Sequence, residues 1–307
     1  MIKSISVKLA LVVCLLTFFS SQALTQLSNR QWWTGLPPAW KQVFYIDQFK
    51  GKVVEPSDED LDRVVKTKRI NCSRNKDITS LKPLSQLMLL EKLKCSDCPG
   101  LTGLEGIENL TNLQEIDCSN NDNISSLKPL EMLIGLKRLN CGNTMVKNLR
   151  PLLNLTSLED LDIHFATINE LIFMKNLKSL VKLDVSDNTT LYSIEGVDGL
   201  INLTEFDCSK TDIEDLTPLQ NLKYLKILDI SNTQVNNLRA LQDVKTLQEI
   251  DCTNTKIRNI RYLYSHTNLT MLALRGTLIP KEDLKATKEA LMKVVYQPGN
   301  FIFDADF

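Results

Sequence analysis

The stretch KCSDCPG, from Lys94 to Gly100, holds two cysteines in CxxC spacing, the arrangement of a dithiol redox switch or of half a zinc site. Either chemistry needs the two sulfurs within reach of one another or of a shared ion. An extended chain separates residues three apart by about 10 Å at ~3.3 Å per residue. That exceeds the ~7 Å limit on Cα separation for a disulfide unless a turn shortens the path. Elsewhere no serine, histidine and acid stand in a known catalytic motif, and neither a glycine-rich phosphate loop nor an HExxH-type metal site occurs. The chain therefore reads as a non-enzyme with no cofactor and no metal motif.

The elements that carry the cysteines repeat along the chain. LEKLKCSDCPGL from Leu90, LQEIDCSNNDNI from Leu113, LKRLNCGNTMV from Leu136 and LTEFDCSKTDI from Leu203 share one frame, and six further stretches fit it. Units begin at Thr67, Leu90, Leu113, Leu136, Leu158, Leu180, Leu203, Leu225, Leu247 and Leu269, always 22 or 23 residues apart. That period marks a leucine-rich-repeat solenoid. In such a unit the fourth and sixth positions of a short strand point inward and the ninth turns back toward the core. Cys72, Cys95, Cys118, Cys141, Cys208 and Cys252 take the sixth position, which Ile163, Val185, Ile230 and Leu274 fill in the other units. A slot that accepts cysteine, valine or isoleucine is apolar. Cys98 takes the ninth position, occupied elsewhere by Asn75, Asn121 and Asn188 or by threonines such as Thr144 and Thr211. The CxxC is thus two separate repeat positions, and free, buried thiols are expected.

These residues, with LKPL at Leu81 and Leu127, LRPL at Leu149 and LTPL at Leu216, resemble the 22-residue, internalin-like class of bacterial leucine-rich repeats over Thr67 to Ile279. The resemblance implies an α/β fold: a curved parallel sheet on the concave side, short helices or 3-10 turns on the convex side, and helical end caps. It also implies recognition of a protein or ligand without catalysis, and it transfers no functional residue. Each unit can bury its leucines only against its neighbours, so both ends need covering. Trp32, Trp33, Leu36, Trp40, Val43 and Phe44 recur at helical spacing before the repeats, and Ser57-Asp58-Glu59-Asp60 has the form of a helix start. After Pro280, KEDLKATKEALMKVV reads as an amphipathic helix, and GNFIFDADF as an extended segment.

The first residues carry Lys3 and Lys8, an apolar run from Leu9 to Phe19 and small residues at Ser21 and Ala23, the pattern of a secretory signal peptide. The run is about half the ~20 residues a membrane span needs. The expected organisation is a signal peptide over 1–23, an N-terminal helical cap over 24–66, ten repeats over 67–279 and a C-terminal cap over 280–307. An exported protein, in the periplasm, at the cell surface or secreted, follows. With 36 basic and 37 acidic residues, no global positive field marks a nucleic-acid binder.

Charge is instead local. At the fifth position Asp162, Asp184, Asp207, Asp229 and Asp251 succeed one another in five consecutive units, while Arg69, Lys92, Lys94 and Arg138 make the other end basic. The seventh position is mostly small, chiefly serine, and His164, which is followed by Phe165, breaks the series. The third, fifth and seventh positions are expected to face solvent on the concave side. A protein or peptide partner, with a basic one matching the charge, is therefore expected at the aspartate column, with His164 and Phe165 at its margin. The alternatives are a structural or surface-layer solenoid without a tight ligand, for which the aspartates are solvated repeat consensus, and a regulatory subunit of an enzyme.

Overall fold

The computed structural model describes residues 28–306; the expected signal peptide lies outside the described residues. Three helices come first: α1 (Asn29–Thr34), α2 (Pro38–Gln48) and α3 (Asp58–Val64). Ser28 and Ser57 each close a capping box, with Gln31 and with Asp60, which satisfies otherwise orphaned N–H groups of the first turn. Trp33, Trp40 and Phe44 are fully buried, so the tryptophans are core. The indole N–H of Trp32 donates to Pro83 O at 2.8 Å, and that of Trp40 to Ser80 O at 3.0 Å. These bonds tie the helices to the convex turn of the first repeat.

Ten three-residue strands follow, β1 (Arg69–Asn71) through β5 (Asp160–Asp162) and β6 (Lys182–Asp184) to β10 (Met271–Ala273), and β11 (Ile302–Asp304) extends the same sheet. All eleven are parallel in chain order, as required when each unit packs only on its neighbours. The convex side carries 3-10 turns, of which Lys82–Gln86, Lys128–Leu130, Arg150–Leu152 and Thr217–Leu219 have proline at their start; its fixed φ suits a first turn. Helix α4 (Lys281–Met292) buries Leu284, Thr287 and Leu291. Among the described residues no helix is long and apolar enough to cross a membrane.

The eighth position explains how the strand hands over to the core. Arg74, Asp97, Asn120, Asn143, Phe165, Asp187, Lys210, Asn232, Asn254 and Gly276 all have positive φ, a left-handed residue that turns the ninth side chain inward. Asparagine there reaches three carbonyls: Asn121 Nδ2 donates to Cys95 O, Cys118 O and Ser119 O, and Asn188 repeats the pattern. Threonine in the 22-residue units reaches one, as Thr211 Oγ1 does to Cys208 O at 2.6 Å. The ninth residue therefore serves the loop of its own and the preceding unit, not the following one.

The seven cysteines from Cys72 to Cys252 are free and buried. Burial raises the thiol of Cys95 and pushes that of Cys118 up to about 12, as desolvation disfavours a thiolate. Cys98 is not bonded to Cys95: its Sγ lies 3.2 Å from Cys72 O, and a hydrogen bond with the Cys72 thiol draws its own thiol below the ordinary value. The CxxC spacing is thus not the structural unit; the contact runs between neighbouring repeats.

The concave face and its candidate site

Three rows of side chains cross the sheet. In the third-position row Glu115 accepts from Lys92 Nζ at 2.7 Å and Arg138 at 2.9 Å, and Lys182 pairs with Glu205 at 2.6 Å. The Lys92 and Arg138 hydrogen bonds hold the Glu115 carboxyl down at about 2. Glu205 is held by a lysine, and two of the four basic residues at the other end are paired with Glu115.

In the fifth-position row the strand register sets Asp162 opposite Asp184, Asp184 opposite Asp207, Asp207 opposite Asp229 and Asp229 opposite Asp251. The structure brings together all five aspartates of the candidate site. All five are half-buried, more enclosed than the solvent-facing column expected from the pattern. Burial raises the carboxyls of Asp207 and Asp229 above their ordinary value, and neighbouring aspartates add to the shift against the opposing hydrogen bonds from Ser209 and Ser231.

The seventh-position serines correct a second expectation. Ser96, Ser119, Ser186, Ser209 and Ser231 are buried; the last four are each folded under the aspartate at the fifth position of their own repeat, while Ser96 Oγ bonds Ser73 Oγ of the preceding repeat at 3.1 Å. Asp184 Oδ1 accepts from Ser186 N at 2.9 Å and Ser186 Oγ at 2.6 Å. Asp207, Asp229 and Asp251 accept from Ser209 N, Ser231 N and Thr253 N at 2.9, 2.8 and 2.8 Å. Asn71 and Asn140 do the same for Ser73 N and Gly142 N, both at 3.0 Å. What the repeat conserves in space is an acceptor oxygen, which aspartate and asparagine both supply.

The fifth repeat departs from this pattern. His164 takes the serine position, and its Nδ1 lies 2.6 Å from Asp162 Oδ1, which also accepts from His164 N at 3.1 Å. Gly142 makes room for the ring: a Cβ there would lie 2.3 Å from both His164 Nδ1 and Cε1. Phe165 occupies the left-handed position at φ 48°, where asparagine and glycine are at ease and a bulky residue is strained. It is 59% exposed. Sequence reasoning missed Gly142, although a glycine among serines one repeat before the exceptional histidine was the signal for it. Beside this point Lys94, Glu115, Asp117, Arg138, Asn140 and Asp160 line an open depression of about 240 Å³ that reaches Asp162.

A parallel eleven-stranded solenoid of this kind, with an asparagine or threonine ladder and 3-10 turns, has the leucine-rich-repeat fold, and it is similar in fold to internalins. The model for the leucine-rich-repeat domain of the endo-β-N-acetylglucosaminidase EndoS matches residues 97–188. An internalin, InlF of Listeria monocytogenes, superposes with a TM-score of 0.60 over 88% of this chain and 95% of its own at 22% identity. The functional domain of InlJ from the same species, described as including a cysteine ladder, gives 0.62 over 80% of this chain and 54% of its own at 20% identity. A plant peptide hormone receptor, RGFR1 in complex with RGF2, gives 0.50 over 73% and 42% at 18% identity. Among curated proteins no match reaches significance. At these identities the structural likeness is one of fold.

Proposed function

We propose that the protein is an exported, non-catalytic binding module whose concave face takes a protein or peptide partner. Contact runs along Asp162, Asp184, Asp207, Asp229 and Asp251, with His164 and Phe165 at the margin. The observation that carries this reading is the in-register column itself: four successive pairs of aspartates face one another across adjacent strands, about 4.8 Å apart. Such a row stores repulsion that a cationic partner relieves, so a basic segment fits it and a phosphate backbone does not. Export rests on the signal-like pattern of residues 1–23. Phe165 supplies an exposed apolar edge of the sort that anchors interfaces.

One observation favours a structural solenoid without a tight ligand: the Oδ1 atoms already hold the turn of each repeat, so the aspartates have a fold-keeping role whatever else they do. The two readings separate in one experiment. A partner captured from the native extracellular milieu is identified by mass spectrometry. Its binding is then compared between the wild type and the triple variant Asp184→Asn, Asp207→Asn, Asp229→Asn, which keeps every acceptor oxygen. Weakened binding with a flattened salt dependence is expected. Unchanged binding at both low and physiological ionic strength returns the column to inherited repeat consensus.

A further inference from the structure

We propose that Asp162, His164 and Asp184 form a site for one divalent transition-metal ion of the zinc and nickel class. It lies on the concave face where the fifth and sixth repeats meet. The proposal goes beyond the binding reading and does not rest on it. Asp162 and Asp184 end β5 and β6 and face one another in the sheet register. One ligand atom from each of the three residues lies within 4.8 Å of the other two. Tetrahedral zinc with N and O ligands at about 2.0–2.2 Å requires ligand separations somewhat shorter than that. Small side-chain rotations at half-buried positions bring the three donors into that range.

The donor set distinguishes this point from the rest of the column. Asp207, Asp229 and Asp251 offer oxygen alone, which suits calcium or magnesium if it suits any ion. His164 adds an imidazole nitrogen, and imidazole with carboxylate selects zinc, nickel or copper over the hard cations. Its orientation is fixed from two sides. The absent side chain of Gly142 leaves the space the ring occupies, and the 2.6 Å contact between Nδ1 and Asp162 Oδ1 aims both atoms at one point. An ion at that point takes the place of the proton the two atoms share, with the proton of the neutral imidazole on Nε2, so that His164 and Asp162 bind it side by side. On Asp184 the hydrogen bonds of Ser186 fall on Oδ1, so its second oxygen is the one offered to the ion. With His164 36% and Asp162 27% exposed at the side chain, the remaining coordination positions open to water or to a group brought by a partner.

Two pairs of substitutions test this, on the untagged full chain with its thiols kept reduced by a non-chelating phosphine. Calorimetric titration with zinc chloride, and separately with nickel chloride, is expected to give one saturable site per chain. His164→Ala and Asp184→Asn each weaken it at least tenfold. Gly142→Ser, which installs the residue most other repeats carry, pushes the ring aside and weakens binding while the unfolding midpoint stays within a few degrees. Asp251→Asn, in the same column but away from His164, leaves the affinity unchanged. Because the chain has only two histidines, the imidazole resonance lost in His164→Ala identifies His164, and that resonance shifts on addition of zinc. Millimolar calcium does not displace the ion. The proposal is overturned if the native chain shows no saturable binding, if His164→Ala binds as the wild type does, which would put the ion on cysteines or elsewhere, or if calcium competes on equal terms.

Discussion

In the N-terminal half of the concave face Glu115 lies between Lys92 and Arg138, which hold it ionised down to about pH 2. In the C-terminal half Asp207 lies between Asp184 and Asp229, and burial together with those neighbours makes its ionised form costly. Both are acids on the same face of the sheet, Glu115 at the third position of the third repeat and Asp207 at the fifth position of the seventh. The difference shows that the scaffold does not dictate charge: it demands inward apolar residues and a left-handed eighth residue, takes aspartate or asparagine at position five in all repeats but those of Lys94 and Ala273, and leaves the remaining polar choices to neighbours. Paired charges in one half and unpaired like charges in the other make the face polar along its length, which a near-neutral composition conceals.

The largest effect should come from removing the acceptor itself. In the double variant Asp207→Ala, Asp229→Ala the N–H groups of Ser209 and Ser231, both buried, lose their partners, and an unsatisfied buried donor costs about 1–3 kcal/mol. Urea unfolding should show a loss of roughly 2–4 kcal/mol for the pair, while Asp207→Asn, Asp229→Asn should not be destabilised. Equal effects of alanine and asparagine would show that charge, not the acceptor, is what the column contributes, and the comparison would collapse into electrostatics alone.

A buried histidine stands between that comparison and its acid test. His266 takes a position that leucine or valine fills in the other units, as Leu200, Leu222 and Val244 do. It is fully buried, with Nε2 at 3.0 Å from Leu241 O and Nδ1 without a partner. Burial, with Lys245 nearby, lowers its affinity for a proton. The unfolded chain therefore protonates first, so the stability His266 permits is complete above the ordinary histidine value near 6.5 and is lost as pH falls below it. His266→Leu should stabilise by about 1 kcal/mol at neutral pH, where it removes an unsatisfied buried nitrogen, and by more at pH 5.5. A variant no more stable at pH 5.5 than at pH 7.5, relative to wild type, would show that His266 is not the acid-labile group of the ninth repeat.

The repeat frame was fully legible in the sequence because its chemistry is local and periodic: leucine spacing gave the strands, and prolines gave the convex turns. The free, inward cysteines followed from the same register. What was not legible depends on neighbours one repeat away. The partner of Cys98 is Cys72, chosen by the left-handed Asp97, and no spacing rule for CxxC contains that turn. Serine at position seven reads as an open groove, yet it is buried because the fifth residue folds over it. Gly142 carries no chemistry of its own, and its meaning appears only when the ring of His164 is seen in its place. The aspartate column was visible as a column, but its double role, as turn acceptor and as unpaired charge, required the hydrogen bonds.

The smallest effect is also the sharpest test, since it asks for opposite signs. The folded value for Glu115 is about 2 against an ordinary 4.5, so its contribution is present above pH 4.5 and lost as pH falls toward 2. It amounts to about 1 kcal/mol, because exposed ion pairs are screened. Asp207 and Asp229 are shifted upward from 3.8, so their penalty is absent at low pH and sets in as pH rises through 3.8 and then through the raised folded values. Glu115→Gln should therefore destabilise at pH 7, and Asp207→Asn, Asp229→Asn should stabilise by a few tenths of a kcal/mol per site, about the strength of a like-charge pair at a surface. Both differences should vanish in acid, and both should shrink in 1 M salt, where the screening length falls to about 3 Å. In the His266→Leu background, hydrogen exchange read separately over the strands within residues 92–140 and within residues 205–251 assigns each change to its half of the face. Effects of the same sign in the two halves would mean that the column carries no net repulsion in the folded protein, and with it would go the electrostatic reason for a cationic partner.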